Sequence, residues 1–228
     1  AGSVGPTSKS LTMGQGIDDP SAGVVDWDLL TETYIEQMKA LIEGGVDALL
    51  IETIYDGLNA KAAIWAARRA MEIVGVRVPL MLSVTLTESG RTLSGQTLEA
   101  IIASMSFGEP MSIGLNCGFG ADAMMKYVEA LQPYPYAVSV YPNAGLPNEM
   151  GEYDETPSMM ADKIRVMLQR RWVNIVGGCC GTTPQHIKAL AELCKQYAPR
   201  VVPEVEPEMT LAGLEPLCVT PVSYTHFR

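Results

Sequence analysis

From Trp27 onward, short apolar runs alternate with longer stretches in which apolar residues recur every three or four positions. The first pattern is that of buried parallel strands and the second that of amphipathic helices, so the chain reads as repeated βα units. Strands are expected over 48–52, 80–85, 112–116, 137–141 and 173–176, with a remnant strand in the first few residues. Helices are expected over 27–43, 58–74, 98–105, 123–131, 158–170 and 185–197. Asp122 and Thr183 stand where N-caps belong, and Pro184 suits a first helical position. Six βα units fit either an open doubly wound sheet or most of a (β/α)8 barrel, and both gather function at the carboxyl ends of the strands. After Ala198 the composition turns to PRVVPEVEPEMTLAGLEPL at 199–217. This gives an expected division into a βα domain over 1–198 and a Pro/Glu-rich linker and tail over 199–228.

Composition narrows the partners. With 228 residues, 47% hydrophobic and 18% charged, the chain has enough apolar material for a substantial core. A net charge of -10 leaves no basic patch to neutralise phosphates, which argues against nucleic acid. No apolar run reaches the eighteen or so residues of a membrane span and no leader pattern opens the chain, so no membrane partner and a cytoplasmic location are expected. The five cysteines are an odd number in a chain too long to need disulfide staples, and two are adjacent. Metal binding or thiol chemistry suits them better.

The chemistry concentrates at VGGCCGTTP, 176–184. Adjacent side chains of a strand point to opposite faces, so Cys179 and Cys180 share a ligand only where the backbone leaves strand geometry, as the flanking glycines permit. Cys117 ends another apolar strand and is followed by Gly118, which places a third sulfur at the same edge. Three thiolates form an incomplete tetrahedron of the kind that holds a catalytic zinc with one position open for an incoming thiol. The alternatives are a structural zinc, which would need a fourth protein ligand, a redox-active vicinal pair, or apolar buried cysteines. Packing is the reading for Cys194, inside a helix, and no role is expected for Cys218. Glu52 puts a carboxylate at a strand end, where it serves either a substrate ammonium or a surface ion pair. Asn143, just past another strand, is either a polar site residue or a turn residue. His186, in the first turn of the last helix, reads as solvated, and His226 gives it no ordered histidine partner.

Six segments then act together: GPT at 5–7, LIET at 50–53, RTLSGQ at 91–96, GLNC at 114–117, PNAG at 142–145 and GGCCG at 177–181. In order and spacing they resemble the homocysteine S-methyltransferase family over about 4–217. Within it they are most similar to the homocysteine-binding domains of cobalamin-dependent methionine synthases. The resemblance implies a (β/α)8 barrel with zinc held by Cys117, Cys179 and Cys180, the homocysteine sulfur completing the coordination. It implies that Glu52 holds the substrate amino group with Asn143 nearby. It also implies methylcobalamin as methyl donor, carried with a folate-binding domain on other parts of a longer enzyme. Related members with the same cysteines use betaine or S-methylmethionine. The cobalamin branch is favoured by Tyr153 in GEYD at 151–154 and by LAGLEPL at 211–217. Two departures stand out. The two βα units that open the family's barrel have no counterpart here, so a barrel truncated at its amino end to about six units is expected. Residues 218–228 do not resemble what should follow, and are expected to be a non-native end.

Overall fold

The computed structural model describes residues 1–12, 25–206 and 208–219. Its fold is α/β, with six parallel strands taken in the order of the chain. They are β1 (Gly2–Val4), β2 (Leu49–Ile54), β3 (Leu80–Val84), β4 (Ser112–Gly120), β5 (Ala137–Asn143) and β6 (Ile175–Val176). Each is followed by a helix, in turn α1 (Trp27–Glu43), α2 (Gly57–Val74), α3 (Leu98–Met105), α4 (Ala121–Ala130), α5 (Pro157–Gln169) and α6 (Pro184–Cys194). A hairpin of β7 (Met209–Ala212) and β8 (Pro216–Val219) follows. Among the described residues no helix is long and apolar enough to cross a membrane.

The chain forms two compact units, one from 1–82, 86–110 and 206–228, the other from 83–85 and 111–205. In the first, β1 pairs with β2 in parallel, and α1 packs on α2. The packed face of α2 is alanine, with Ala60, Ala63, Ala67 and Ala70 all buried at helical spacing, so neighbouring elements approach closely. β3, whose residues divide between the two units, is buried throughout, as expected of a parallel strand covered on both faces. Asp26, Asp56 and Thr97 cap the helices of the first unit, each side chain accepting an otherwise orphaned amide hydrogen. The second unit stacks β4, β5 and β6 in parallel, with α5 packed on α6. Its core includes Ile113, Leu115, Val138, Val140, Met160 and Ile164.

The structure departs from the expected elements at four places. β4 runs on to Gly120, which caps α4, so Asp122 lies inside the first helical turn rather than at the cap. There its carboxylate faces the positive end of the helix dipole. β6 is only two residues long, because the Asn174 side chain takes over a ladder position: its Oδ1 accepts from Val138 N–H at 2.9 Å and its Nδ2 donates to the Arg200 carbonyl at 2.8 Å. α6 stops at Cys194, its end tightened by amide bonds from Gln196 to Leu193 and from Tyr197 to Cys194.

The fourth departure is in the segment read as an extended linker. Arg200 is buried, and its guanidinium donates to Gln132 Oε1 and to the carbonyls of Gln132, Tyr134 and Tyr136. Further on, the tip of the β7–β8 hairpin seats on the RTLSGQ segment. Thr97 N–H donates to the Leu214 carbonyl at 3.0 Å, Gln96 Nε2 to the Gly213 carbonyl at 2.9 Å, and Arg91 pairs with Glu215. Of the expected non-native end, 220–228 lies outside the described residues.

Candidate metal centre

β4 brings Cys117 to the edge of the second unit in an unusual way. Its φ is +56°, a left-handed conformation that a side chain disfavours, and Gly118 follows at +69°. The β4–β5 register shifts between Asn116 and Gly120, so this is a bulge that breaks the strand's alternation and re-aims the sulfur. Beyond β6, Cys179 and Cys180 sit in a turn stitched to the last residues of β5 and to Ala144 just after it. Cys179 N–H donates to the Pro142 carbonyl at 2.8 Å, Ala144 N–H to the Cys180 carbonyl at 2.9 Å, and Cys180 N–H to Asn143 Oδ1 at 3.1 Å. The turn closes on Gly181 at φ +77°, where a methyl group would lie 2.3 Å from Cβ and Cγ of Tyr153.

These two turns bring the sulfurs together. Cys117 Sγ lies 3.7 Å from Cys180 Sγ, and Cys179 Sγ lies 3.9 Å from Cys180 Sγ. All three fall within 4.8 Å of one another, and all five cysteines are free. Zinc–sulfur bonds of about 2.3 Å at tetrahedral angles place sulfurs about 3.8 Å apart, so the spacing fits such an ion. Charge points the same way. Burial, and then the neighbouring sulfurs of Cys117 and Cys180, push the Cys179 thiol up to about 12. Three thiolates at this spacing repel one another unless a cation lies among them, and a soft cation suits sulfur best. The group can therefore hold a metal through three ligands.

Asn116 supports the cluster and was not singled out from the sequence. Fully buried, it accepts from Ser83 Oγ at 2.7 Å, which turns its Nδ2 toward Cys179 Sγ at 3.9 Å. Asn143 is also buried, with its side-chain carbonyl occupied by the Cys180 amide. Glu52 belongs to the first unit, on β2, where its carboxylate accepts from Ser3 Oγ. Thr53 beside it has φ +57°, the same left-handed conformation as Cys117. His186 was expected in solvent and is 5% exposed instead. Cys194 and Cys218 lie outside the sulfur cluster.

The chain belongs to the homocysteine S-methyltransferase family, whose model matches residues 1–194. Among solved structures it is similar in fold to the homocysteine methyltransferase MmuM from Escherichia coli. The metallated form of that protein matches at 24% identity and a TM-score of 0.62, over 84% of this chain and 60% of that one. Its apo form matches at 22% identity and a TM-score of 0.60, over 84% and 61%. The chain thus spans about three fifths of the length of these relatives.

Proposed function

We propose that this chain is the greater part of a (β/α)8 barrel that binds zinc through Cys117, Cys179 and Cys180 and presents homocysteine as a thiolate for methylation to methionine. The observation that carries the reading is the trio of free sulfurs held within 4.8 Å by two separate turns. A structural zinc needs four protein ligands, and the candidate ligand group among the described residues contains three. A bound zinc supplies the positive charge that keeps a fourth sulfur, that of the substrate, deprotonated at neutral pH.

The remaining roles fall to the chain itself. The bulge at Cys117 and the bonded turn at Cys179 and Cys180 hold the ligands in place before any ion arrives, which reduces the ordering required on binding. Asn116 Nδ2, directed at Cys179 Sγ, favours the thiolate over the thiol. Glu52 is proposed to take the homocysteine ammonium and Asn143 to lie beside the bound substrate, both on the family resemblance. Methylcobalamin is the proposed methyl donor, delivered with a folate-binding domain by other parts of a longer enzyme. GEYD at 151–154 and LAGLEPL at 211–217 support that choice over betaine or S-methylmethionine. The test is metal analysis joined to homocysteine titration, followed by methionine formation with each donor in turn. About one zinc per chain, homocysteine binding that depends on it, and turnover with methylcobalamin are expected. A metal-free chain that still binds homocysteine would overturn the reading.

A further inference from the structure

Both cysteine-bearing turns are tied to the stretch of chain that runs from the end of β5 into α5. On one side, His186 Nε2 lies 2.8 Å from the Glu155 carbonyl, which can only accept, so Nε2 carries the proton. Nδ1 is then an acceptor, and it receives the Thr183 amide at 3.1 Å and approaches Thr183 Oγ1 at 2.9 Å. The buried imidazole thus bolts the start of α6, three residues beyond Cys180, to Glu155. On the other side, the Glu155 side chain is 4% exposed and pairs with Lys163. Lys163 also reaches Asp122 Oδ2 at 3.0 Å, in the first turn of α4, five residues beyond Cys117. Glu155 is itself seated closely, its Cβ in contact range of any side chain placed at Gly145.

We infer that His186 and Lys163 are positioning residues that, through Glu155, set the distance between the Cys117 turn and the Cys179–Cys180 turn. The path runs from Thr183 through His186, Glu155 and Lys163 to Asp122, entirely within the second unit. The links at His186 and Glu155 are buried polar contacts whose loss leaves a partner unsatisfied, and Lys163 carries the path from there to the solvent-exposed carboxylate of Asp122. The cluster needs this bracing because Cys117 occupies a left-handed conformation that relaxes if α4 is free to shift. Loosening either end lets the sulfurs drift apart without removing any of them. The metal part of this inference rests on the proposed zinc site, whereas the sulfur spacing does not.

The test compares the 228-residue chain with His186→Phe, His186→Gln, Lys163→Met and Lys163→Arg. Two readouts are taken on each. The first is the rate at which bound zinc passes to a chelator, with cobalt substituted to report thiolate coordination by its absorption. The second, on metal-free protein, is the yield of Cys117–Cys180 bridging by dibromobimane, which spans only close thiols, located by peptide mass. His186→Phe and Lys163→Met should release zinc roughly tenfold faster, the lower end of what outer-shell changes do to metal sites. Their bridging yield should fall as well. His186→Gln, whose amide nitrogen reaches the place of Nε2, and Lys163→Arg should recover most of both losses, which mere disruption of folding would not allow. Unchanged bridging and unchanged release in His186→Phe and Lys163→Met would overturn the inference. If the parent chain takes up no metal, the zinc proposal fails and the bridging yields still decide this one.

Discussion

Replacing Gly181 with alanine tests whether the cysteine turn is shaped by close packing. Two effects combine. The left-handed conformation at φ +77° costs an ordinary residue about 1–2 kcal/mol. The new methyl group would also lie 2.3 Å from Cβ and Cγ of Tyr153, atoms close to a backbone held by the bridge between Pro147 and Tyr153, so the loop itself must move. Overpacking of this kind costs about 1–3 kcal/mol, giving roughly 2–5 kcal/mol in all. Gly151→Ala separates the two effects, since Gly151 has φ +80° with nothing within 4 Å of an added methyl. At about 2–4 °C per kcal/mol in a chain of this size, Gly151→Ala should lower Tm by about 3–6 °C and Gly181→Ala by about 5–15 °C. Thermal melts of the two variants beside the parent measure the difference, and zinc content measured alongside should fall only for Gly181→Ala. Equal melting temperatures for the two variants would show that Tyr153 yields freely and that the turn is not sterically set.

Serine at Cys117, Cys179 or Cys180 should sharply reduce zinc retained through gel filtration while serine at Cys194 leaves it intact, and equal retention in all four would dismiss the assignment. In a protein with the complete barrel, Glu52→Gln should keep its zinc and bind homocysteine more weakly, because an amide replaces a charge-assisted partner of the ammonium; unchanged affinity by calorimetry would remove Glu52 from the substrate site. The hydrogen bond to Glu155 foremost, aided by Asp122, raises the Lys163 ammonium above its usual range. A raised lysine contributes stability that is complete below its unfolded value, about 10.4, and is lost as pH climbs through the folded one. The Tm gap between the parent and Lys163→Met should therefore hold from pH 7 to about 10 and narrow above it, and a gap that widened at high pH would contradict the pairing.

What could be read from the residues, and what could not, divides by range. The six βα units were legible because buried strands and amphipathic helices carry their periodicity locally. Cys117, Cys179 and Cys180 were legible because glycines beside cysteines at strand ends have no packing reason to be there. Asp122 was misplaced by two residues, since the bulge at Cys117 lengthens β4 and no local signal announces a register shift. His186 was read as solvated because its partner, the Glu155 carbonyl, lies 31 positions away and belongs to the backbone. Asn116 was passed over for the same reason, its orientation being set by Ser83 at a separation of 33. The 199–217 segment has the composition of an extended linker. Its hairpin depends on contacts with Arg91, Gln96 and Thr97, more than a hundred residues earlier, which composition does not register.

The left-handed backbone at Cys117 sets selection against itself. Glycine there would relieve the conformation and asparagine would tolerate it better than most side chains, so a search for hardier variants that scored folding alone would drift toward both. Either choice discards a sulfur. Variants enriched for heat resistance without a chemical screen should lose this position early, while a screen for thiol-dependent metal uptake should hold cysteine in place and collect its compensating changes elsewhere.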